Sequence, residues 1–127
     1  MTPTFDIPVR YTGPHLAEVA VQLQISTQEV VRLHTENTYT VFMIGFLPGF
    51  PYMGPLPEAL QLPRRATPRL RVAPGSVAIA GAQTGIYPLQ SPGGWHIIGH
   101  TDIALFNPAA RPPSLLRPGM QVRFIAT

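Results

Sequence analysis

The sequence has no cysteine and no lysine. Without cysteine there is no disulfide framework, no thiolate metal site and no cysteine nucleophile. Without lysine there is no Schiff-base chemistry and no Walker-type lysine to hold a nucleotide. All nine basic residues are arginine, and only 12% of the chain is charged. The six acids, Asp6, Glu18, Glu29, Glu36, Glu58 and Asp102, are scattered. They propose no carboxylate pair for acid–base work, and Asp102 reads best as a turn acid. No Gly-x-Ser-x-Gly elbow occurs. No apolar run reaches the roughly 18 residues that a membrane-spanning helix needs. The start, Met1-Thr2-Pro3-Thr4-Phe5-Asp6, lacks the basic and apolar regions of a signal peptide. These absences favour a soluble, cytoplasmic protein.

What is abundant is punctuation. Sixteen prolines and eleven glycines stand among 127 residues, and proline is well over twice its usual share of roughly 5%. Such a chain cannot be a helical bundle. It reads as many short strands joined by Pro/Gly turns, within one domain spanning 1–127. The formal charge of +3 raises the question of nucleic acid. No helix-turn-helix, zinc-finger or ribonucleoprotein pattern accompanies it, so no nucleic-acid partner is expected.

Helical spacing occurs near the N-terminus. Leu16, Val19, Ala20 and Leu23 recur at i, i+3, i+4 and i+7. Ser26-Thr27-Gln28-Glu29 is a capping box. Two short helices are expected, at 15–23 and 27–35. Elsewhere the pattern predicts about seven strands. An edge strand covers 5–11, because Pro8 cannot donate to a ladder. A central strand covers the apolar run 39–46. Further strands are expected at 76–80, 86–90, 95–99, 103–106 and 121–125. Segments 47–55 and 63–75 read as irregular, and 91–94 as a turn. The expected architecture is mainly β: a closed or nearly closed barrel with two short helices near the N-terminus.

Two segments are candidates for chemistry. Arg64, Arg65, Arg69 and Arg71 fall within eight residues. Guanidinium binds carboxylate or phosphate in bidentate fashion, so this is an anion-binding segment or a solvated basic loop. Gly81 to Trp95 combines small residues with Gln83, Thr84, Tyr87 and Ser91 as neutral hydrogen-bonding groups, and Trp95 as a flat wall. It suits a polar small molecule or a tight hairpin. His96 and His100 are about 13 Å apart along a strand, too far to share one metal ion, and no metal site is expected.

The runs Gly45-Phe46-Leu47-Pro48-Gly49-Phe50-Pro51-Tyr52-Met53-Gly54, Pro63 to Arg69, Gly75 to Pro88 and Ser91-Pro92-Gly93-Gly94-Trp95 occur in one order. In them the chain resembles the family of the 5-oxoprolinase B subunit, also called allophanate hydrolase subunit 1, which includes the kinase inhibitor KipI. The resemblance implies a cyclophilin-like β-barrel. It also implies that a further N-terminal domain usual in the family is missing here. The activity implied is ATP-dependent opening of 5-oxo-L-proline to glutamate, with the A and C subunits of that enzyme, this chain being inactive alone. ATP would act in the assembled complex, with no cofactor on this chain. Two alternatives follow from the same resemblance: a KipI-type module that blocks histidine kinase autophosphorylation, and an allophanate hydrolase or urea carboxylase subunit. Under the first reading Arg64, Arg65, Thr67, Arg69, Gln83, Thr84, Tyr87, Gly93, Gly94 and Trp95 form the substrate groove. Under the kinase reading Phe46, Leu47, Phe50, Tyr52 and Met53 form an exposed docking patch. No residue stands out as a nucleophile or base.

Overall fold

A computed structural model describes residues 4–127. Met1–Pro3, on which part of the leader reading rests, lie outside the described residues. Among the described residues nine strands form: β1 (Thr4–Val9), β2 (Thr38–Ile44), β3 (Pro51–Gly54), β4 (Arg69–Val72), β5 (Ser76–Ala80), β6 (Gln83–Ile86), β7 (Ser91–Gly93), β8 (His96–His100) and β9 (Gln121–Ala126). Seven of them make one sheet in the order β1-β9-β2-β3-β6-β5-β8, and β4 pairs with β7 in a separate ribbon. The large sheet curls until its two ends meet. Arg10, just after β1, exchanges both backbone hydrogen bonds with His100 at the end of β8, at 2.9 and 2.8 Å. The result is the nearly closed β-barrel that the punctuation and strand count anticipate, and the cyclophilin-like architecture that the family resemblance implies.

The helices are α1 (Leu16–Leu23) and α2 (Thr27–Glu36). Ser26 caps α2 by accepting the Glu29 amide at 3.0 Å. The reciprocal half of the expected box does not form, because Glu29 turns to Arg32 at 2.6 Å instead. At the start of α1 the ring of His15 takes the Ile97 amide of β8 on Nδ1 at 2.9 Å. This pins α1 against β8.

Strand alternation explains why residues 77–80 of β5 are an unbroken apolar run. Val77 and Ile79 face the main core with Ile7, Val9, Met53, Ile86, Ile98 and Phe124. Ala78 and Ala80 face a second, smaller core of Phe50, Val72, Tyr87, Trp95 and Ile97, which lies beneath the ribbon. A strand buried on both faces has no polar positions to alternate.

Several expected boundaries move. Segment 47–55 is not wholly irregular: β3 pairs antiparallel with β2, and Gly45 donates to the Phe50 carbonyl at 3.1 Å to close the turn. Segments 63–75 and 91–94 hold β4 and β7, whose short ribbon tolerates Pro92 on its exposed side. The strand expected at 86–90 lies earlier, at Gln83–Ile86, in register with β5. Segment 103–106 forms only an isolated bridge, Phe106 to Ser114. Pro108, Pro112 and Pro113 deny the neighbouring stretch a ladder. The edge strand is β1, and β2 is flanked on both sides.

Inside the barrel sits one fully buried imidazole, His34. The Thr84 hydroxyl donates to the Ala78 carbonyl at 2.9 Å, so it accepts from His34 Nε2 at 3.0 Å. Nδ1 is then an acceptor for the Tyr11 hydroxyl at 2.6 Å. Burial holds the imidazole down to about 3. An unfolded histidine titrates near 6.5, so the unfolded chain takes up this proton first as pH falls. The contribution to stability is complete above about pH 6.5 and is lost progressively toward pH 3, at up to ~1.4 kcal/mol per pH unit. His15, lowered to about 4 by burial and then by Arg65, acts in the same direction. The urea midpoint is expected to fall between pH 7 and pH 5, above the range where carboxylates titrate; equal midpoints would contradict the neutral, buried state of His34.

Candidate functional site

The site is organised by the strap Leu62–Pro68, held at three points. Leu62 bridges Gly81. The Arg65 amide donates to the Gly94 carbonyl at 2.8 Å. His96 Nε2 donates to the Pro63 carbonyl at 2.7 Å. Pinned in this way, the strap crosses the beginning of β8 and presents side chains to two cavities. Trp95 and His96 are neighbours in the chain, and consecutive side chains at a strand point to opposite faces. Trp95 therefore lines one cavity and His96 the other.

The first cavity is an aromatic cleft of about 270 Å³ walled by Phe46, Tyr52, Tyr87 and Trp95, with Pro68, Gly93 and Gly94. Phe50 is the hub beneath it. Its ring lies 5.5 Å from Phe46, 5.0 Å from Tyr52, 5.2 Å from Tyr87 and 5.5 Å from Trp95, in edge-on or tilted pairs. Such geometry aligns positive ring edges with negative faces. Phe46 reaches outward and is 62% exposed. Burial raises the Tyr87 phenol, so it remains a neutral hydroxyl.

The second is a polar pocket of about 620 Å³ between α1 and the strap, lined by Glu18, Gln22, Arg64, Arg65, Thr67 and His96 among others. Arg65 pairs with Glu18 at 2.5 Å across the pocket. That hydrogen bond holds the Glu18 carboxyl below its usual range. Arg64 belongs to the walls of both cavities. Among the described residues it takes part in no ion pair.

The sequence candidates thus divide. Arg64, Tyr87, Gly93, Gly94 and Trp95 come together in the aromatic cleft, joined by Phe46 and Tyr52 from the docking patch. Arg65 and Thr67 lie in the polar pocket. Arg69 is apart from both, on β4 beside Arg71, near Thr12 and Gly13. Gln83 opens β6 and lines neither cavity. Thr84 is fully buried in the His34 network and cannot touch a ligand in the groove. Met53 and Phe50 are buried too, so the exposed docking patch shrinks to Phe46, with Leu47 and Tyr52 partly covered. Sequence reasoning missed Glu18, Gln22 and His96. The signal for His96 was its place directly after Trp95, which puts it on the opposite face.

The curled sheet and its two N-terminal helices thus make a small barrel with two cavities along one strap. Over residues 1–116 the chain matches the family described as "Carboxyltransferase domain, subdomain C and D", and it belongs to that family. It is 56% identical over 123 residues to the B subunit of 5-oxoprolinase from Escherichia coli O157:H7, covering 94% of this chain and 56% of that protein. The chain therefore spans about half the length of the curated relatives it matches. The crystal structure of TTHA0988 superposes with a TM-score of 0.94 at 48% identity, over 98% of this chain and 25% of that one. Kluyveromyces lactis urea amidolyase superposes at 0.76 with 19% identity, over 98% of this chain and 9% of that one, and shows the shared fold alone. Among the described residues no helix is long and apolar enough to cross a membrane.

Gly93 is packed so closely that a β-carbon there would sit 2.2 Å from the Tyr87 hydroxyl oxygen. Gly93→Ala is expected to push Tyr87 into the cleft. Trp95 is the sole tryptophan, so its emission should shift while far-UV circular dichroism stays unchanged. An unaltered emission spectrum would show that Tyr87 has room to move elsewhere.

Proposed function

We propose that this chain is the B component of an ATP-dependent 5-oxoprolinase, opening 5-oxo-L-proline to L-glutamate together with the A and C subunits. The name shared by relatives at 49–56% identity supports this reading. The observation that supports it in the geometry is Arg64, an exposed guanidinium on the wall of the polar pocket with no ion pair among the described residues. A guanidinium at such a place binds a carboxylate with two parallel hydrogen bonds. The aromatic cleft on the other side, with Phe46 projecting from it, suits a side chain of a neighbouring protein in the complex, since buried aromatic anchors dominate protein interfaces. Neither cavity is lined by a nucleophile poised beside a base. On this reading the chain acts only within the complex, and ATP is handled by the other subunits.

The test is reconstitution. The chain is mixed with the A and C subunits, ATP and 5-oxo-L-proline, and glutamate is measured. Turnover should require all three components. Glutamate formed without this chain, or none with all three, would reject the reading; suppression of a histidine kinase's autophosphorylation by the chain alone would point to the regulatory alternative. Within the active complex, Arg64→Ala should raise KM for 5-oxo-L-proline about tenfold, the usual order for one charged hydrogen-bonded contact. Arg69→Ala, on the separate ribbon, should change KM less than twofold, by roughly the margin of an uninvolved surface residue.

A further inference from the structure

Two buried side-chain polar atoms among the described residues have no hydrogen-bond partner: Arg65 Nε and His96 Nδ1. Both belong to residues that line the polar pocket. Buried polar groups are nearly always satisfied, and each exception asks for a partner. That the two exceptions share one pocket is the observation to explain.

Their chemistry is complementary. Arg65 Nε carries a hydrogen and can only donate. Its NH1 is already engaged by Glu18 at 2.5 Å, which fixes the plane of the guanidinium. His96 Nε2 lies 2.7 Å from the Pro63 carbonyl, and a carbonyl only accepts. Nε2 therefore bears a proton, and in the singly protonated tautomer that this bond selects Nδ1 is a lone pair that lacks a donor. His96 is 2% exposed, so its orientation is set by packing. Two residues in the pocket's wall thus carry one unmet buried donor and one unmet buried nitrogen, and beside them stands Arg64, whose guanidinium has no ion pair among the described residues.

A plain carboxylate or phosphate meets the two donors and leaves the His96 lone pair unmet. A secondary amide meets both orphans, with its N–H toward His96 Nδ1 and its C=O toward Arg65 Nε. We propose that the polar pocket is the site for a carboxylic acid bearing a secondary amide, recognised by His96, Arg65 and Arg64 in those roles. This rests on the 5-oxoprolinase reading, and it assigns the lactam edge of 5-oxo-L-proline to the polar pocket rather than to the aromatic cleft. Glu18 acts as a positioning residue, holding the Arg65 fork so that Nε stays free.

The experiment measures binding to the complex of this chain with the A and C subunits, without ATP, by titration calorimetry. The probes are 5-oxo-L-proline, its N-methyl derivative, which lacks the N–H, and L-proline, which lacks the carbonyl. The expected result is at least tenfold weaker binding of the N-methyl compound and of L-proline. Arg65→Lys keeps a cation for Glu18 but removes the Nε donor, and should weaken binding of 5-oxo-L-proline and of its N-methyl derivative several-fold alike, while leaving L-proline, which has no lactam carbonyl, unchanged. The His96 ring nitrogen resonances should move on adding 5-oxo-L-proline, with those of His34 unmoved. Equal binding of 5-oxo-L-proline and its N-methyl derivative, or no binding of either, would overturn the assignment; the two orphan atoms would then be met by water only. If the complex makes glutamate yet binds both compounds equally, the pocket assignment falls and the functional reading stands. If it discriminates between them yet makes no glutamate, the functional reading falls and the pocket assignment stands.

Discussion

The fold turns on a buried, neutral histidine inside the barrel. A sheet that curls upon itself encloses more than strand side chains alone fill, and α2 lies against it. His34 of α2 bonds to Thr84 of β6, takes the Tyr11 hydroxyl, and stacks on Phe124 of β9 at 4.4 Å between ring centres. Its own carbonyl accepts the Tyr39 hydroxyl of β2 at 2.9 Å. One residue thereby ties the helix to three strands and to the segment after β1. Each bond has a fixed direction, because the Ala78 carbonyl decides the orientation of Thr84, and Thr84 decides the tautomer of His34. A satisfied buried network of this kind resists alternatives, since any slip of register leaves a polar group unmet in a low dielectric.

The cavities inherit their separation from this frame. With β8 held against β5 and pinned to α1 through His15, the strap has one course across its beginning. Alternation at Trp95 and His96 then sorts aromatic groups to one side and polar groups to the other. Arg64 is in both walls because the strap itself is the partition.

Much was legible in the one-dimensional pattern. Both helices, the edge character of β1, and β5, β8 and β9 follow from spacing, β-branched runs and proline chemistry. The arginine segment and the Gly81–Trp95 segment were visible as candidates too. What was not legible were strands whose residues carry weak local preference. Pro51-Tyr52-Met53-Gly54 and Ser91-Pro92-Gly93 pair because neighbours present open ladder positions, not because their residues favour extension. Thr84 shows the same limit from the functional side. Its hydroxyl suggests a ligand contact, and only the packed barrel reveals that it serves His34 instead.

By itself the sequence determined the chemical vocabulary: no thiol, no lysine, arginine as the one cation always charged, and a backbone too often broken for long helices. It also determined the class of fold, because punctuation and apolar period are local quantities that a single chain carries openly. The tertiary structure decided which of those groups meet. Whether Arg65 faces Glu18 or solvent, and whether His96 meets the Pro63 carbonyl, depends on residues 47 and 33 positions apart in the chain. Distances of that kind are set by how strands register and how a strap crosses them, and no local preference encodes them.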